Sequence, residues 1–233
     1  ARLGIATDTG DADGKEIEAS DVPALSAEAW DEILQRFVGE SMQVPPMYSA
    51  LRQQGKRLYE LARQGKTVER EARPVTIHEI VLLEAAGTRL VFRVGCSKGT
   101  YVRTLVEDIA REAGTVAHTQ RLHREAVGPF HADAMLDLAA VEAMAENNLP
   151  ALRERLLPPD RAIPGLPAVR LDADASARFV GGQAVDVGRK DQPGLARVYS
   201  GADRFLGVGE LARDGRLAPR RVFREPAKNP VDS

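Results

Sequence analysis

The chain has 233 residues, 43% of them hydrophobic, which is enough for one core or for one core with a small appended domain. The formal net charge is −2, so a nucleic-acid partner would have to bind local basic patches. A single cysteine excludes an internal disulfide, no signal peptide is visible, and no apolar run approaches the ~18 residues that span a membrane. We therefore expect a cytoplasmic protein with no membrane partner.

Acidic turn-forming residues begin the chain, with Asp8, Asp11 and Asp13 among threonine and glycine. A calcium-binding loop would need a glutamate at its twelfth position, and none follows, so turn chemistry explains these residues. The chain also begins at Ala1, without an initiator methionine. We interpret this as a start inside a strand, and hence as a fragment.

The clearest predicted helix covers residues 25–39. Ser26 is placed to cap it, Leu25 and Trp30 stand at the positions of a hydrophobic staple, and Gly39 is expected to end it. The expected buried stripe is Trp30, Ile33, Leu34, Phe37 and Val38.

Residues 45–73 differ from the rest of the chain in charge. After Pro45–Pro46 come seven basic and three acidic residues, with two tyrosines and a short helix predicted around Leu58 and Leu61. Such a surface attracts a folded RNA through its phosphates and by stacking, although a purely solvated face would have the same composition. The basic residues are Arg52, Lys56, Arg57, Arg63, Lys66, Arg70 and Arg73.

A hairpin is predicted from Val75 to Val94, turning at Ala86–Gly87, because apolar and polar residues alternate along its second half. An amphipathic helix follows, with Leu105 and Ile109 on its apolar face.

We expect a site at the turn between this strand and helix, residues 95–104. Tyr101 and Arg103 share one face if the chain is extended through both, and point about 200° apart if both are helical. Gly99 permits the bend, and free amides at the helix start suit a nucleotide. A core tyrosine beside a surface arginine fits the same pattern. A triphosphate-binding loop is excluded, because Lys98 precedes its glycine instead of following it.

Three histidines, His118, His123 and His131, lie in or beside a strand-like stretch from Ala117 to Phe130. With one cysteine in the chain and no helix that places two histidines at i and i+4, they do not match a zinc pattern. We expect hydrogen-bonded or surface histidines, and no metal.

The last third of the chain predicts smaller elements. Asp137 is placed to cap a short helix, prolines mark a linker at 158–167, and a helix at 173–180 precedes strands broken at Ser200–Gly201 and Asp214–Gly215. The first helix is expected to point Leu138, Val141 and Ala145 inward. A basic edge, suited either to docking on a nucleic-acid backbone or merely to solubility, is expected from Arg213, Arg216, Arg220, Arg221 and Arg224.

Five stretches, in the same order, resemble motifs of the TruB-type tRNA pseudouridine synthases, a family that includes H/ACA-guided relatives. The string Cys-Ser-Lys-Gly-Thr-Tyr-Val-Arg-Thr-Leu is the most specific of them. The five are Arg2–Gly14, Gln43–Leu51, Arg70–Ile77, Cys96–Leu105 and Ala117–Arg124, the last running on to Val127-Gly-Pro-Phe130. The tail from Val169 to Phe223 resembles the bacterial branch.

The resemblance implies an α+β fold, with a mixed or antiparallel sheet flanked by helices, its first strands absent here, and a small β-rich PUA-like domain. The implied domains are a catalytic domain over 1–157 with a thumb-like insertion at 45–73, a linker over 158–167, and a PUA-like RNA-binding domain over 168–233. It also implies that uridine 55 in the T loop of tRNA is flipped out and isomerised to pseudouridine, by C–N cleavage and C–C re-formation, without cofactor or metal.

Site residues follow from the matching motifs. By resemblance, Tyr101 stacks on or hydrogen-bonds near the flipped base, Leu122 lines the uracil pocket and Lys98 helps to bind substrate. Arg103 would pair with the catalytic aspartate, and Asp11 would support the site from near the target base. RNA-backbone contacts are expected from Lys56, Arg57, Arg63 and Arg70.

The catalytic aspartate itself is not found in this sequence. The family carries it in a His-x-Gly-x-Leu-Asp-Pro-type motif upstream of the matching region, and neither Leu136–Asp137 nor Leu171–Asp172 has that context. An upstream Lys-x-Tyr is absent as well. Arg103 would then be an unpaired cation near a pocket, and we expect residues 1–233 alone not to make pseudouridine.

Two functions remain open. In the first, the chain is most of a synthase, and its severed N-terminal segment or a second copy covers the open edge of the sheet. In the second, it is a truncated protein that only binds or refolds tRNA. The first is favoured because the residues that match the family motifs include Tyr101, Arg103 and Leu122. The bacterial-type tail argues against guide-RNA-dependent modification.

Overall fold

The computed structural model describes residues 1–53, 55–188 and 193–223. The chain divides into two compact units, Ala1–His123 and Arg124–Ser233. No helix in the described ranges has the length and apolar character needed to cross a bilayer.

The described residues of the first unit form nine strands and three α-helices. Its strands are β1 (Arg2–Leu3), β2 (Ile5–Thr7), β3 (Glu16–Ala19), β4 (Gly39–Gln43), β5 (Arg52–Gln53), β6 (Lys56–Arg57), β7 (Arg73–Ala86), β8 (Arg89–Cys96) and β9 (Ala117–His118). Its helices are α1 (Ala27–Gln35), α2 (Leu58–Arg63) and α3 (Val102–Glu112).

An antiparallel sheet in the order β4-β7-β8-β1-β9 carries this unit, and α1 and α3 supply helical side chains to its core. The β7–β8 hairpin turns where the sequence predicts, with Ala86 paired to Arg89. Burial of apolar side chains from both layers is the main favourable term in folding. The buried core is Leu3, Trp30, Ile33, Leu34, Ile77, Ile80, Leu90, Leu105, Val106, Ile109, Ala110 and Ala117.

Helix α1 begins as predicted and ends earlier. The Ser26 hydroxyl accepts a hydrogen bond from the Ala29 amide at 3.3 Å, which is the expected cap. The prediction that the helix reaches Gly39 is wrong, because that glycine starts β4 with a φ of 116°. Val38 is consequently 41% exposed instead of buried.

The second unit is richer in strand. Its strands are β10 (Ala126–Val127), β11 (Phe130–His131), β12 (Ala168–Leu171), β13 (Val185–Asp186), β14 (Gly194–Ser200), β15 (Phe205–Leu211) and β16 (Arg216–Val222). Its helices are α4 (Leu138–Asn147), α5 (Leu149–Glu154) and α6 (Ala173–Val180), with 3-10 turns at Ala132–Ala134 and Pro159–Ala162. A mixed sheet in the order β12-β14-β15-β16-β13 packs against α6, whose Phe179 is fully buried.

These elements confirm the predicted fold class, the helix at 173–180 and both strand breaks. Asp137 caps α4 by accepting a hydrogen bond from the Ala140 amide at 2.7 Å. The inward placement of Leu138 is wrong, since its side chain is 71% exposed. The continuous strand expected from Ala117 is also wrong, because β9 ends at His118.

The arginines of the predicted basic edge are exposed where the structure describes them, and Arg220 is ion-paired with Glu210. Arg224 lies outside the described residues.

Gly207 lets β15 and β16 approach closely. Its φ is 141°, and a Cβ there would lie 2.0 Å from the carbonyl oxygen of Arg221. We expect Gly207→Ala to lower the free energy of unfolding of the second unit by about 3 kcal/mol, through overpacking and backbone strain. Far-UV circular dichroism during urea unfolding measures this loss.

Gly201→Ala is the control, because its Cβ would meet nothing closer than 3.8 Å. Trp30 is the single tryptophan and lies in the core of the first unit, so its fluorescence transition should stay in place in both variants. An equal loss in the two variants would contradict the packing explanation.

Candidate active site

The site begins at the turn between β8 and α3. The Ser97 amide donates to the Thr76 carbonyl at 2.8 Å, and the Ser97 hydroxyl accepts from the Thr76 amide at 2.9 Å, so the end of the strand is fixed. Gly99 then takes a φ of 88°, which reverses the chain. Tyr101 is extended and α3 starts at the next residue. Neither of the two cases considered from the sequence, both residues extended or both helical, is found, since Tyr101 is extended and Arg103 is helical.

The backbone of Tyr101 is held by a buried side chain from the edge strand β4. The Tyr101 amide donates to Gln43 Oε1 at 2.8 Å, and Gln43 Nε2 donates to the Tyr101 carbonyl at 3.1 Å. Gln43 is only 7% exposed, so these bonds form in a partly desolvated place where they are stronger than in water. The amide thus fixes the residue just before the helix, while the tyrosine side chain is half-buried.

Arg103 joins three separate parts of the first unit. Its Nη1 donates to the Thr9 carbonyl and to Asp11 Oδ2, each at 2.9 Å, and its Nη2 donates to the Tyr48 carbonyl at 2.6 Å. The Arg103 side chain is 22% exposed and that of Asp11 33%, so the ion pair is only partly screened by water. The guanidinium therefore links helix α3, the turn after β2 and the segment after β4.

Asp11 is oriented by its own turn. Its Oδ1 accepts hydrogen bonds from the Thr9 hydroxyl at 2.7 Å and from the Asp13 amide at 3.2 Å. The Thr7 hydroxyl donates to the Asp11 carbonyl at 2.7 Å. Both carboxylate oxygens are therefore occupied, one by local donors and one by Arg103. The expectation that Arg103 is an unpaired cation is wrong, because Asp11 is its partner within the chain.

Glu107 lies one helical turn beyond Arg103 and covers the same turn. A Cβ on Gly10 would stand 2.5 Å from Glu107 Oε1, so the glutamate fits there only because residue 10 is glycine. Burial raises the pKa of the Glu107 carboxyl; Arg111 opposes that shift, Asp108 adds to it, and Arg103 opposes it more weakly.

The other predicted site residues lie elsewhere on the first unit. Leu122 is 59% exposed in the segment after β9, and Lys98 is exposed in the turn. Lys56, Arg57 and Arg63 are exposed on β6 and α2, whereas Arg70 is half-buried. The structure brings together Arg103 and Asp11; for the remaining residues the predicted roles stay predictions.

Three contributors to this site were missed from the sequence. No site role was predicted for the side chains of Gln43 and Glu107, and the Tyr48 contact uses a backbone carbonyl. The spacing of Glu107 four residues after Arg103 was the one available signal. Among the residues that the structure describes, no three histidine, cysteine, aspartate or glutamate side chains lie together as candidate metal ligands.

Comparison with known proteins identifies the family. Residues 1–102 match the TruB family pseudouridylate synthase N-terminal domain, 103–164 the tRNA pseudouridylate synthase B C-terminal domain, and 167–223 the pseudouridine synthase II TruB C-terminal model. The tRNA pseudouridine synthase B of Nitrosococcus oceani is 47% identical over 222 residues, 95% of this chain and 72% of that protein. Its counterpart in Pseudomonas putida is 45% identical over 224 residues, 96% of this chain and 73% of that protein.

The chain belongs to the TruB family of pseudouridine synthases. Solved structures agree with the fold of this TruB-family chain. A chain in the crystal structure of a Cbf5–Nop10–Gar1 complex aligns with a TM-score of 0.63 at 22% identity, over 96% of this chain and 65% of that one. Another, in an H/ACA RNP bound to a substrate RNA containing 2′-deoxyuridine, gives 0.63 at 20% identity, over 88% of this chain and 63% of that one. The chain thus spans just under two thirds of the length of these solved relatives.

The raised pKa of Glu107 predicts that this residue lowers the stability of the fold in a pH-dependent way. The folded state binds the Glu107 proton more tightly than the unfolded state, so this residue reduces stability as the pH rises through its raised pKa. Glu107→Gln removes the charge and should raise the unfolding midpoint of the first unit at pH 7. The gain should shrink as the pH falls towards the ordinary glutamate value of 4.5. Trp30 fluorescence reports the transition.

Glu112→Gln on the same helix is the matched control. Glu112 is exposed and ion-paired with Arg36, so its replacement should leave stability unchanged or slightly lower. A gain of equal size in both variants would show that general charge reduction, and not the burial of Glu107, is responsible.

Proposed function

We propose that the chain forms the larger part of a cytoplasmic tRNA pseudouridine synthase that isomerises uridine 55 in the T loop. The observation that carries this proposal is the Arg103–Asp11 ion pair, which joins two of the stretches that resemble family motifs. The curated relatives are themselves named tRNA pseudouridine synthase B, which supports tRNA as the substrate.

Arg103 retains the capacity to hold a second carboxylate. A guanidinium has five N–H donors, and three hydrogen bonds from Arg103 go to Thr9, Asp11 and Tyr48. Its Nε–H and one Nη2 hydrogen have no partner among the described residues. An incoming catalytic aspartate would be kept ionised by such a donor pair, because an opposite charge nearby favours the charged form of an acid. In this role Arg103 is a positioning residue.

Tyr101 is suited to contact the flipped base. Gln43 bonds both the amide and the carbonyl of Tyr101, so the half-buried ring is attached to a fixed segment of backbone. An aromatic ring held in this way offers a stacking surface for an unstacked base. Leu122 would complete an apolar wall once RNA covers its exposed side chain.

RNA recognition is assigned to the thumb-like insertion at 45–73. Arg57 and Arg63 both lie over the ring of Tyr59, at 5.8 and 5.5 Å from its centroid, and both are exposed. Charges displayed on a small helix attract the phosphates of a folded RNA. A T-stem-loop is the RNA that this surface would receive under our proposal.

Residues 1–233 alone are proposed to be inactive, because they contain no His-x-Gly-x-Leu-Asp-Pro-type motif. The alternative is a truncated tRNA-binding or tRNA-folding protein, which predicts RNA binding but no turnover by any form of the protein. The intact mass of the protein from its source cell separates the two, since a longer product carrying the aspartate motif would support the synthase.

Turnover is tested by tritium release from 5-tritiated uridine in unmodified tRNA. Residues 1–233 should release none, whereas the protein as its source cell makes it should release about one tritium per tRNA. In the active protein, Arg103→Lys should lower kcat by about 100-fold, because lysine cannot hold several acceptors in one plane. tRNA affinity should change far less than kcat.

Arg111→Lys controls for the loss of a guanidinium on the same helix. Arg111 is exposed and pairs only with Asp108, three residues earlier, among the contacts described. Its variant should keep normal turnover. Turnover by residues 1–233, or equal losses for the two lysine variants, would refute the assigned role of Arg103.

The thumb-like insertion should account for part of the salt dependence of tRNA binding. Replacing Lys56, Arg57 and Arg63 by glutamine should reduce the slope of log affinity against log salt by about 2, since each phosphate contact contributes roughly 0.7–0.9. Arg89→Gln, outside the insertion, should leave the slope unchanged. Hydrogen exchange in 45–73 should slow when tRNA binds, and unchanged exchange would count against this surface.

A further inference from the structure

A second concave site lies within the thumb-like insertion, apart from the contacts of Arg103. Its cavity has a volume of about 350 Å³ and lies at the base of the segment. This volume falls within the range of about 300–1,000 Å³ that is typical of small-ligand pockets. The lining residues are Pro45, Leu51, Arg52, Gln53, Leu58, Arg70, Glu71 and Arg73.

Arg70 is a cationic residue in the wall of this cavity. Its Nη1 donates to the Pro45 carbonyl at 3.0 Å, which anchors the guanidinium in the wall. Its Nε is buried and has no hydrogen-bond partner among the residues that the structure describes. Because that atom is closed to solvent, an oxyanion in the cavity would be bound by the remaining N–H groups of the guanidinium, which lines the cavity.

The remaining lining is both cationic and apolar. Arg52 and Arg73 add two positive charges against the single carboxylate of Glu71. Leu58 is buried, with 3% of its surface exposed, and forms an apolar wall with Leu51. An anion with no apolar part would leave that wall exposed to water. A ligand that joins a phosphate to a flat ring would contact both kinds of surface.

We propose that this cavity binds one nucleotide of the RNA other than the target uridine, with its phosphate held by Arg70 and Arg73 and its base against the leucine wall. The assignment of RNA as the source rests on the proposed function. A free nucleoside monophosphate has the same chemistry, so the cavity itself can be tested without RNA.

The first test titrates the full chain with UMP, CMP and inorganic phosphate by calorimetry. Arg70→Met and Arg73→Met should each weaken nucleotide binding about tenfold, as expected for the loss of one charged hydrogen bond. Lys66→Met is the matched control, because it removes one exposed charge from the same insertion without touching the cavity, and it should stay within about twofold. Inorganic phosphate should bind more weakly than either nucleotide.

The second test repeats these variants with a T-stem-loop RNA. Arg70→Met and Arg73→Met should weaken RNA binding more than Lys66→Met does. Because Arg70 bonds the backbone of Pro45, its variant is first checked by Trp30 fluorescence unfolding. Arg73 has an exposed side chain at the start of β7, so Arg73→Met carries the test if Arg70→Met fails to fold.

Two results would overturn the inference. The first is that the nucleotides do not bind. Inorganic phosphate binding as tightly as the nucleotides would count in the same way, since the leucine wall would then have no role. The other is an equal effect of Arg73→Met and Lys66→Met on both nucleotide and RNA. If RNA still binds in either case, the proposed function is unaffected and only the cavity proposal is wrong. If nucleotides bind but RNA does not, the cavity is a nucleotide site and the proposed function is wrong.

Discussion

The guanidinium of Arg103 is the contact on which the first unit's candidate site depends. It bonds Asp11, 92 residues earlier, and the Tyr48 carbonyl, 55 residues earlier, so a single side chain closes two long loops of chain. Lysine has no planar fork and could not satisfy Thr9, Asp11 and Tyr48 from one position. Because α3 is packed on the core through Leu105 and Ile109, the guanidinium is held on a rigid element.

The two carboxylates near this contact, Asp11 and Glu107, differ in how well their burial is compensated by hydrogen bonds. Asp11 is fully bonded, by Arg103 on one oxygen and by Thr9 and the Asp13 amide on the other, which compensates for its partial burial. Glu107 has no such set of donors among the described residues, and burial raises its pKa.

Local structure was predictable where one short segment decides it. The cap at Ser26, the hairpin into β8, the cap at Asp137 and the helix at 173–180 all follow from neighbouring residues. The failures have a different cause. α1 stops at Gln35 because the following segment pairs with β7 as β4, and that pairing is not encoded near the helix end. The Gln43 side chain, 58 residues before Tyr101, bonds the Tyr101 backbone just before α3, and that contact has no local signal in the sequence either. Family motifs pointed to Arg103 and Asp11 separately, but only the folded turn after β2 brings them together.

The thumb-like insertion is fixed at its base and exposed beyond it. Two arginines bind its first residues through backbone carbonyls, Arg70 at Pro45 and Arg103 at Tyr48. Because carbonyls are neutral, these bonds hold the chain without cancelling either positive charge, which would not be true of two aspartates. Arg57 and Arg63, farther along, are stacked over Tyr59 and face solvent. The insertion therefore keeps its net positive charge in a chain whose total is −2, and displays it next to the arginine that organises the candidate active site.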